Sequence, residues 1–290
     1  MDPIVLTATS EQGVNLQATF LPDKGMNMIS FKKGDIEVID QSTKSLFDER
    51  FAGLGALIGP HFHRRQPGIL PKIADESLFP HIARVKANGV ADPFSHGIAR
   101  YAPWQATATS NSFKATLTGK DTWNGVPLSA LEGQNFTMHF NATLTPKGLS
   151  LDLDVVSDSD SLVGIHYYYN LPQGTGKVVS AVQPEYIANG KKTALPSTWN
   201  VDANHVLTFD LNQEADFTFF PFPGQRSGKI LLDTGPYKIE TTYICPSSEN
   251  SWQLYHPKGA SFACIEPISS QDPRHPNLSV SSLHINIEIL

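Results

Sequence analysis

Proton transfer is the chemistry that the most conspicuous residues of this chain could perform. In SLVGIHYYYNLP (residues 161–172) one imidazole, His166, stands in front of a run of tyrosines. Read as a strand, this segment sets Val163, Ile165, Tyr167, Tyr169 and Leu171 on an apolar face and Gly164, His166, Tyr168 and Asn170 on the other. The imidazole is then on the side that a ligand could approach, with Gly164 leaving room above the sheet. An unperturbed histidine pKa of ~6.5 suits it to giving or taking a proton near neutrality. In FACIEPIS (262–269), Glu266 lies in an apolar run immediately before Pro267, which is expected to end or edge the strand. A carboxyl short of solvent there would have its pKa pushed toward values useful for proton transfer. The same two residues would also suit a satisfied surface or cross-strand histidine and a strand-end glutamate that reaches water.

Two further stretches carry candidate ligands. FSHGIARYAPW (94–104) holds His96 beside Gly97, where the absence of a Cβ permits an unusual backbone or a close approach, and Arg100, whose forked donors suit hydroxyls, a carboxylate or a phosphate. An acidic substituent on a substrate is expected at Arg100. GALIGPHFHRR (55–65) holds His61 and His63 at a spacing that would put both on one face of a strand, as a metal pair needs and as the first motif of metal-binding cupins provides. No glutamate follows them, and Arg64 and Arg65 would repel a cation, so no metal is expected. The chain has no GxSxG elbow, Walker loop, dinucleotide fingerprint or HExxH helix. Neither a cofactor nor a covalent nucleophile is expected.

These residues need a scaffold, and from about residue 110 onward polar and apolar residues alternate with period two. SFKATLTG, NFTMHFNATLTPKG and LSLDLDVVSD read as successive strands, the second and third joined by a Pro-Lys-Gly turn. The pattern returns in HVLTFDLN, DFTFFPFPG, GKILLDTG, YKIETTYICP, FACIEPIS and SLHINIEIL. No amphipathic helix intervenes, which excludes a parallel α/β fold and predicts an all-β, large antiparallel sandwich. Residues 42–108 resist this reading, being rich in Gly, Pro, His and Arg, and a long irregular stretch inside a domain is often a functional one.

Bulk properties narrow the classes. The 290 residues carry no linker, repeat or low-complexity tract and are expected to form a single domain over 1–290. With 40% hydrophobic and 17% charged residues the chain can bury a large core. Twenty-eight acidic against 22 basic residues, net charge −6, offer no basic surface to nucleic acid. No signal sequence or run of about 18 apolar residues is seen, so no membrane association and a cytoplasmic location are expected. Cys245 and Cys264 fit neither a redox pair nor a zinc site and read as buried small hydrophobes. The sequons at Asn135, Asn141 and Asn277 would matter only in a secreted chain.

Taken in order, HGIARYAPW, GIHYYYNLP and CIEPIS resemble the aldose 1-epimerase (mutarotase) family over roughly residues 20 to 290. The resemblance implies a galactose mutarotase-like supersandwich that interconverts the α and β anomers of a hexose by acid-base ring opening and closure. It implies His166 as general acid, Glu266 as general base, and His96, Arg64 and Asp216 as contacts to sugar hydroxyls. It implies a small-molecule sugar partner and a monomer or homodimer. GPHFHRR departs from the GRxxNRI element of many galactose mutarotases, with Pro60 in place of the first arginine and His63 in place of the asparagine, which bears on substrate preference. HGIARYAPW is also similar to the hexose-6-phosphate mutarotase branch. A non-catalytic carbohydrate-binding protein on the same sandwich, and a glycoside hydrolase, are the other readings. The hydrolase wants two flanking carboxylates, and the sequence offers one.

Overall fold

The computed structural model describes residues 1–65 and 67–290. The period-two segments become strands as expected: Phe136–Thr145 and Gly148–Ser157 alternate buried and accessible residues along their length and pair from Thr145↔Gly148 to Phe136↔Ser157. They lie in a ten-stranded antiparallel sheet with Val280–Ile289, Lys238–Ile244, Ser227–Asp233 and Lys177–Ala181. The alternation also extends to the N-terminus, where Ile4–Thr9, Asn15–Leu21 and Asn27–Lys33 form one side of an eleven-stranded antiparallel sheet. The inner faces of the two sheets meet in one continuous apolar cluster that reaches from Ile4 to Ile289. The molecule is an all-β sandwich.

The strand Gly164–Asn170 is central in the larger sheet, between Gly55–Ile58 and Phe262–Ile268. It does not alternate in burial: every residue but Asn170 is buried. Ile165, Tyr167 and Tyr169 belong to the inter-sheet core. His166 and Tyr168 face the other way and are buried because the irregular residues 42–108 are folded over that side of the sheet. A central strand covered on both faces loses its alternation for this reason.

That cover consists of short helices at Lys44–Arg50 and Pro80–Ala87, isolated helical turns and long connections, and it is held by polar anchors. Asp92, buried, accepts from the backbone N–H and Nε of Arg65 at 2.8 and 3.0 Å through Oδ2, and from Arg65 Nη2 at 2.9 Å and the Phe94 N–H at 3.0 Å through Oδ1. Glu132, from the short helix Leu128–Glu132, accepts from the Ile98 N–H at 2.9 Å and contacts His61 Nδ1 at 2.5 Å. Arg65 also donates to the Glu132 carbonyl. His61 and His63 therefore do not share a strand face, since the strand ends at Ile58 and His61 is turned into this carboxylate network. Burial lowers the pKa of His61, yet Glu132 and Asp92 carry it above the ordinary value. His61 and Arg65 hold the Asp92 carboxyl well below its usual range against the opposing effect of burial. Gly97 is needed for packing rather than for a ligand: at φ +89° a Cβ would meet the Gly59 carbonyl oxygen at 1.9 Å. Among the described residues no helix is long and apolar enough to cross a membrane.

Removing one partner of a buried ion pair typically costs about 3–5 kcal/mol, because the other charge is left uncompensated. Asp92→Asn is expected to destabilise the protein by about 3 kcal/mol or more in urea unfolding. An unchanged midpoint would show that this network does not hold the cover in place.

Candidate functional site

The open face of the larger sheet presents its side chains in cross-strand rows. The flanking pairs Gly164↔Ile268 and Tyr167↔Ile265 put His166 opposite Glu266. His166 also pairs with Ala56, Glu266 with Gln253, and Gln253 with Thr218, so one row reads Ala56, His166, Glu266, Gln253, Thr218. The next reads Tyr168, Cys264, Tyr255, Asp216. His166 Nε2 lies 3.4 Å from Glu266 Oε1, and the two residues are 7% and 1% exposed. Contrary to expectation, Glu266 is not at a strand end: Phe262–Ile268 runs through Pro267, which pairs with Trp252. The hydrogen-bond ladder to the histidine strand is instead interrupted at Glu266 and Pro267, where a proline has no N–H to donate. The room expected above Gly164 is taken by the Pro267 carbonyl, 2.8 Å from where a Cβ would stand.

All the residues singled out from the sequence, His166, Glu266, His96, Arg64, Asp216 and Arg100, line one cleft of about 220 Å³ between this face and the cover. His96, held at φ +68°, presents its ring edge to His166 with 5.2 Å between ring centroids. Tyr168, on the same face two residues on, stacks against the flank of His166 at 4.9 Å between ring centroids. Arg64 and Asp216 stand on the accessible walls. Arg100, where an acidic substituent was expected, is only 3% exposed, and its Nε donates to the Leu57 carbonyl at 3.4 Å. Its backbone is locked by the cover: the Trp104 indole donates to the Ala99 carbonyl at 2.9 Å, so the glycine and tryptophan of HGIARYAPW both serve the turn that aims this arginine. His63, weighed from the sequence as one of a metal pair, also lines the cleft, as do Tyr168, Gln253, Tyr255 and Arg274, which sequence reasoning did not put forward. Period-two reading already put Tyr168 beside His166. The others become visible only through strand register or loop placement.

The electrostatics of the site follow from its burial. Desolvation pushes the pKa of His166 well below its ordinary value, and the Arg100 guanidinium pushes it further. Desolvation raises that of Glu266 well above the carboxylate range, with Arg100 acting against it. His96 is lowered by burial and then by Arg100 and His166. Burial thus disfavours the charged form of both members of the pair. Among the described residues, His166 Nδ1, both Glu266 oxygens and Arg100 Nη2 are buried without a hydrogen-bond partner. Buried polar atoms are rarely left so, and here they cluster on the floor of one cleft. One ligand atom each from His166, Cys264 and Glu266 lies within 4.8 Å of the others, but the buried guanidinium beside them disfavours a cation.

No family model matches the chain, and no curated protein sequence matches it. Solved structures match it along its whole length. A galactose mutarotase-like protein from Lactobacillus casei ATCC 334 is 13% identical with a TM-score of 0.68, covering 100% of both chains. The Slr1438 protein from Synechocystis sp. PCC 6803 is 15% identical with a TM-score of 0.66, covering 100% of this chain and 96% of that one. The GalM/aldose epimerase homologue from C. elegans is 13% identical with a TM-score of 0.65, covering 100% and 99%. At these identities the likeness is one of fold, and the chain has the galactose mutarotase-like β-sandwich.

The depressed histidines have a consequence for stability. His96 falls well below the ~6.5 of an unfolded imidazole, and His63 and His81, each lowered chiefly by burial, fall to about 4, while the lowering of His166 is offset by the rise of Glu266 beside it. Unfolding then takes up protons, so their contribution is complete above ~6.5 and is lost as pH falls through the folded values. Urea midpoints are expected to decline from about pH 7 to about pH 4. His81→Phe, which keeps a ring against Tyr101 and Trp123, is expected to flatten that decline; a pH-independent midpoint would contradict the assignment.

Proposed function

We propose that this chain is an aldose 1-epimerase acting as one domain over residues 1–290, in the cytoplasm, on a free sugar. The reading is carried by the contact between His166 Nε2 and Glu266 Oε1, 3.4 Å apart on the floor of the cleft, with hydrogen-bonding capacity unspent on both residues. Opening a pyranose takes one proton from the hydroxyl on C1 and delivers one to the ring oxygen, and both oxygens are bonded to the same carbon. The groups that serve them must therefore be neighbours, as these are. C1 then turns about its bond to C2 and the steps reverse, closing the ring from the other face. Each proton-transfer group is typically worth roughly 10²–10⁴-fold.

The pKa directions refine the roles. Burial lowers His166 and raises Glu266, so the two groups compete closely for a proton. His166 as acid with Glu266 as base, the roles that the resemblance implies, and the reverse differ by one proton transferred within the pair, and a reversible reaction uses both in turn. His96, Arg64 and Asp216 are the residues proposed to hold ring hydroxyls, so that the reacting edge meets the pair. Arg100, buried on the floor of the cleft, sets the charge balance of the site, and its Nη2, without a partner among the described residues, is the donor proposed to meet a polar substituent of the substrate. The same contact argues against glycoside hydrolysis, whose two carboxyl groups stand about 5–9.5 Å apart with the scissile bond between them.

Anomer exchange followed by NMR or polarimetry tests the reading. His166→Asn and Glu266→Gln are each expected to lose roughly 10²-fold or more in kcat/KM while remaining folded. A variant near the wild-type rate would remove that residue from the mechanism, and binding without any exchange would favour a carbohydrate-binding protein. Because Arg100 lowers the pKa of both partners, Arg100→Gln is expected to move the pH–rate profile to higher pH. A profile that keeps its position while its amplitude falls would make Arg100 a packing residue only.

A further inference from the structure

Three imidazoles, His63, His96 and His166, line the cleft, and the proposed reaction uses only the last of them to move protons. What the other two do is written in their backbones. His63 and His96 both adopt positive φ, +58° and +68°, a left-handed conformation that residues with a Cβ seldom take and that histidine, with Asn and Asp, tolerates better than most. Thirty-three residues apart in the chain, they are tied to each other twice. The His96 N–H donates to the His63 carbonyl at 2.7 Å, and the His63 N–H donates to Nδ1 of the His96 ring at 3.3 Å. The His96 carbonyl in turn accepts from the Gly59 N–H at 2.9 Å, so the residue is held on both sides of its Cα. Its ring is bracketed edge to face by Phe62 and His166, at 4.9 and 5.2 Å between centroids.

A ring nitrogen that accepts a hydrogen bond from a backbone N–H carries no proton, and in a neutral imidazole the proton is then on the other nitrogen. Burial disfavours the charged form of His96, and Arg100, His166, His63 and His61 disfavour it further. His96 Nε2 has no partner among the described residues and, unlike His166 Nδ1 and the Glu266 oxygens, is not enclosed, so it opens on the cleft. A neutral N–H held there offers a donor and no acceptor, which suits an oxygen lone pair of a ligand. To move a proton, the ring would have to become an imidazolate, or take a proton on Nδ1 and lose the bond from His63.

We propose that His63 is a positioning residue: its left-handed backbone fixes His96 as the Nε2–H tautomer, so that His96 meets the ligand as a neutral hydrogen-bond donor beside His166 and takes no part in moving protons. That the ligand is a sugar, with one of its oxygens as the acceptor, rests on the reading given above; the tautomer rests on the two paired backbones. Of the three imidazoles on the cleft, two are then fixed parts of the site and one is the acid-base group.

Long-range proton–nitrogen correlation NMR of the imidazoles reads tautomer and charge directly and needs no sugar. The His96 signals, identified as those lost in His96→Gln, are expected to show one neutral form with its proton on Nε2 from about pH 5 to about pH 8. His63→Asn, which keeps the backbone N–H and tolerates positive φ, is expected to preserve that form, and His63→Val, whose β-branched side chain is poorly suited to it, to mix the two tautomers. With an exchanged sugar, His63→Val is expected to lower kcat/KM about tenfold and His63→Asn to recover most of the loss. His96→Gln, which keeps an N–H donor, is expected to lower the amplitude of the pH–rate profile without moving its limbs. A proton on Nδ1, a charged His96 within that pH range, or a tautomer untouched by His63→Val would overturn the proposal, as would a limb of the profile lost in His96→Gln. Where His63→Val does not fold, the wild-type spectrum decides alone. If no sugar is exchanged, the epimerase reading falls, and the same spectrum still decides the tautomer.

Discussion

The pairing of two central strands in one register is the constraint on which this molecule depends. With Tyr167 opposite Ile265 and Gly164 opposite Ile268, His166 and Glu266 fall on the same face and at the same level. Side chains alternate with period two, so a slip of one residue in either strand would turn the imidazole or the carboxyl into the inter-sheet core. That slip is opposed from below, because Ile165, Tyr167, Tyr169 and Ile265 would leave the apolar cluster that they now fill. It is opposed at the strand end as well, where the Tyr237 hydroxyl donates to the Asn170 carbonyl at 2.9 Å and Tyr169 bridges to Ile39. Residues with no access to a ligand thus set the 3.4 Å contact between the groups that have it.

Register alone would give a wet sheet face with an ordinary histidine and an ordinary glutamate. The cover of residues 42–108 changes both by excluding water. It does so with only two short helices and isolated turns outside its short strands, and it is tied down by charged anchors, Arg65 to Asp92 and His61 to Glu132. Burying these ions is costly unless their geometry is good, and Asp92 meets the condition by accepting from the Arg65 and Phe94 N–H groups as well as from the guanidinium. The network that stabilises the cover engages Asp92 and Glu132 and, among the described residues, leaves Arg50, Arg64, Arg100 and Arg274 on the cleft without a carboxylate within 4.0 Å.

Much of this was legible in the sequence, and the rest failed for identifiable reasons. Alternation from about residue 110 gave the sandwich, since a half-buried strand records its buried face in its own residues. The same logic placed His166 and Tyr168 away from Tyr167 and Tyr169. Gln253, Tyr255 and Arg274 were not legible, because which residues stand beside Glu266 depends on the partner strand and on a loop, neither of which is written in any local pattern. Glu266 was misplaced at a strand end because Pro267 was read as a terminator. The proline is tolerated within the strand at the cost of the ladder on one side only, and that interruption lies beside the carboxyl itself. The burial of Arg100, expected only to meet an acidic substituent, was not legible because its turn belongs to a segment without periodicity, whose depth no sequence pattern records.

The burial of the pair suits the proposed reaction for a reason that goes beyond the two residues. A low-dielectric site resists any change in its net charge, since a new charge must be solvated by fixed groups. Ring opening moves one proton from a sugar hydroxyl to one partner and one from the other partner to the ring oxygen, so the number of protons held by His166 and Glu266 together does not change. Charge is redistributed within the cleft but none is created or lost. Whenever Glu266 holds no proton it is the counter-charge of Arg100, whose Nη2 has no other partner among the described residues. The protonated His166 gains the carboxylate 3.4 Å away in the same step. The arginine that depresses His166 in the unliganded cleft is therefore offset at the moment when the imidazole must carry charge, and the buried site can pass through the reaction without admitting water.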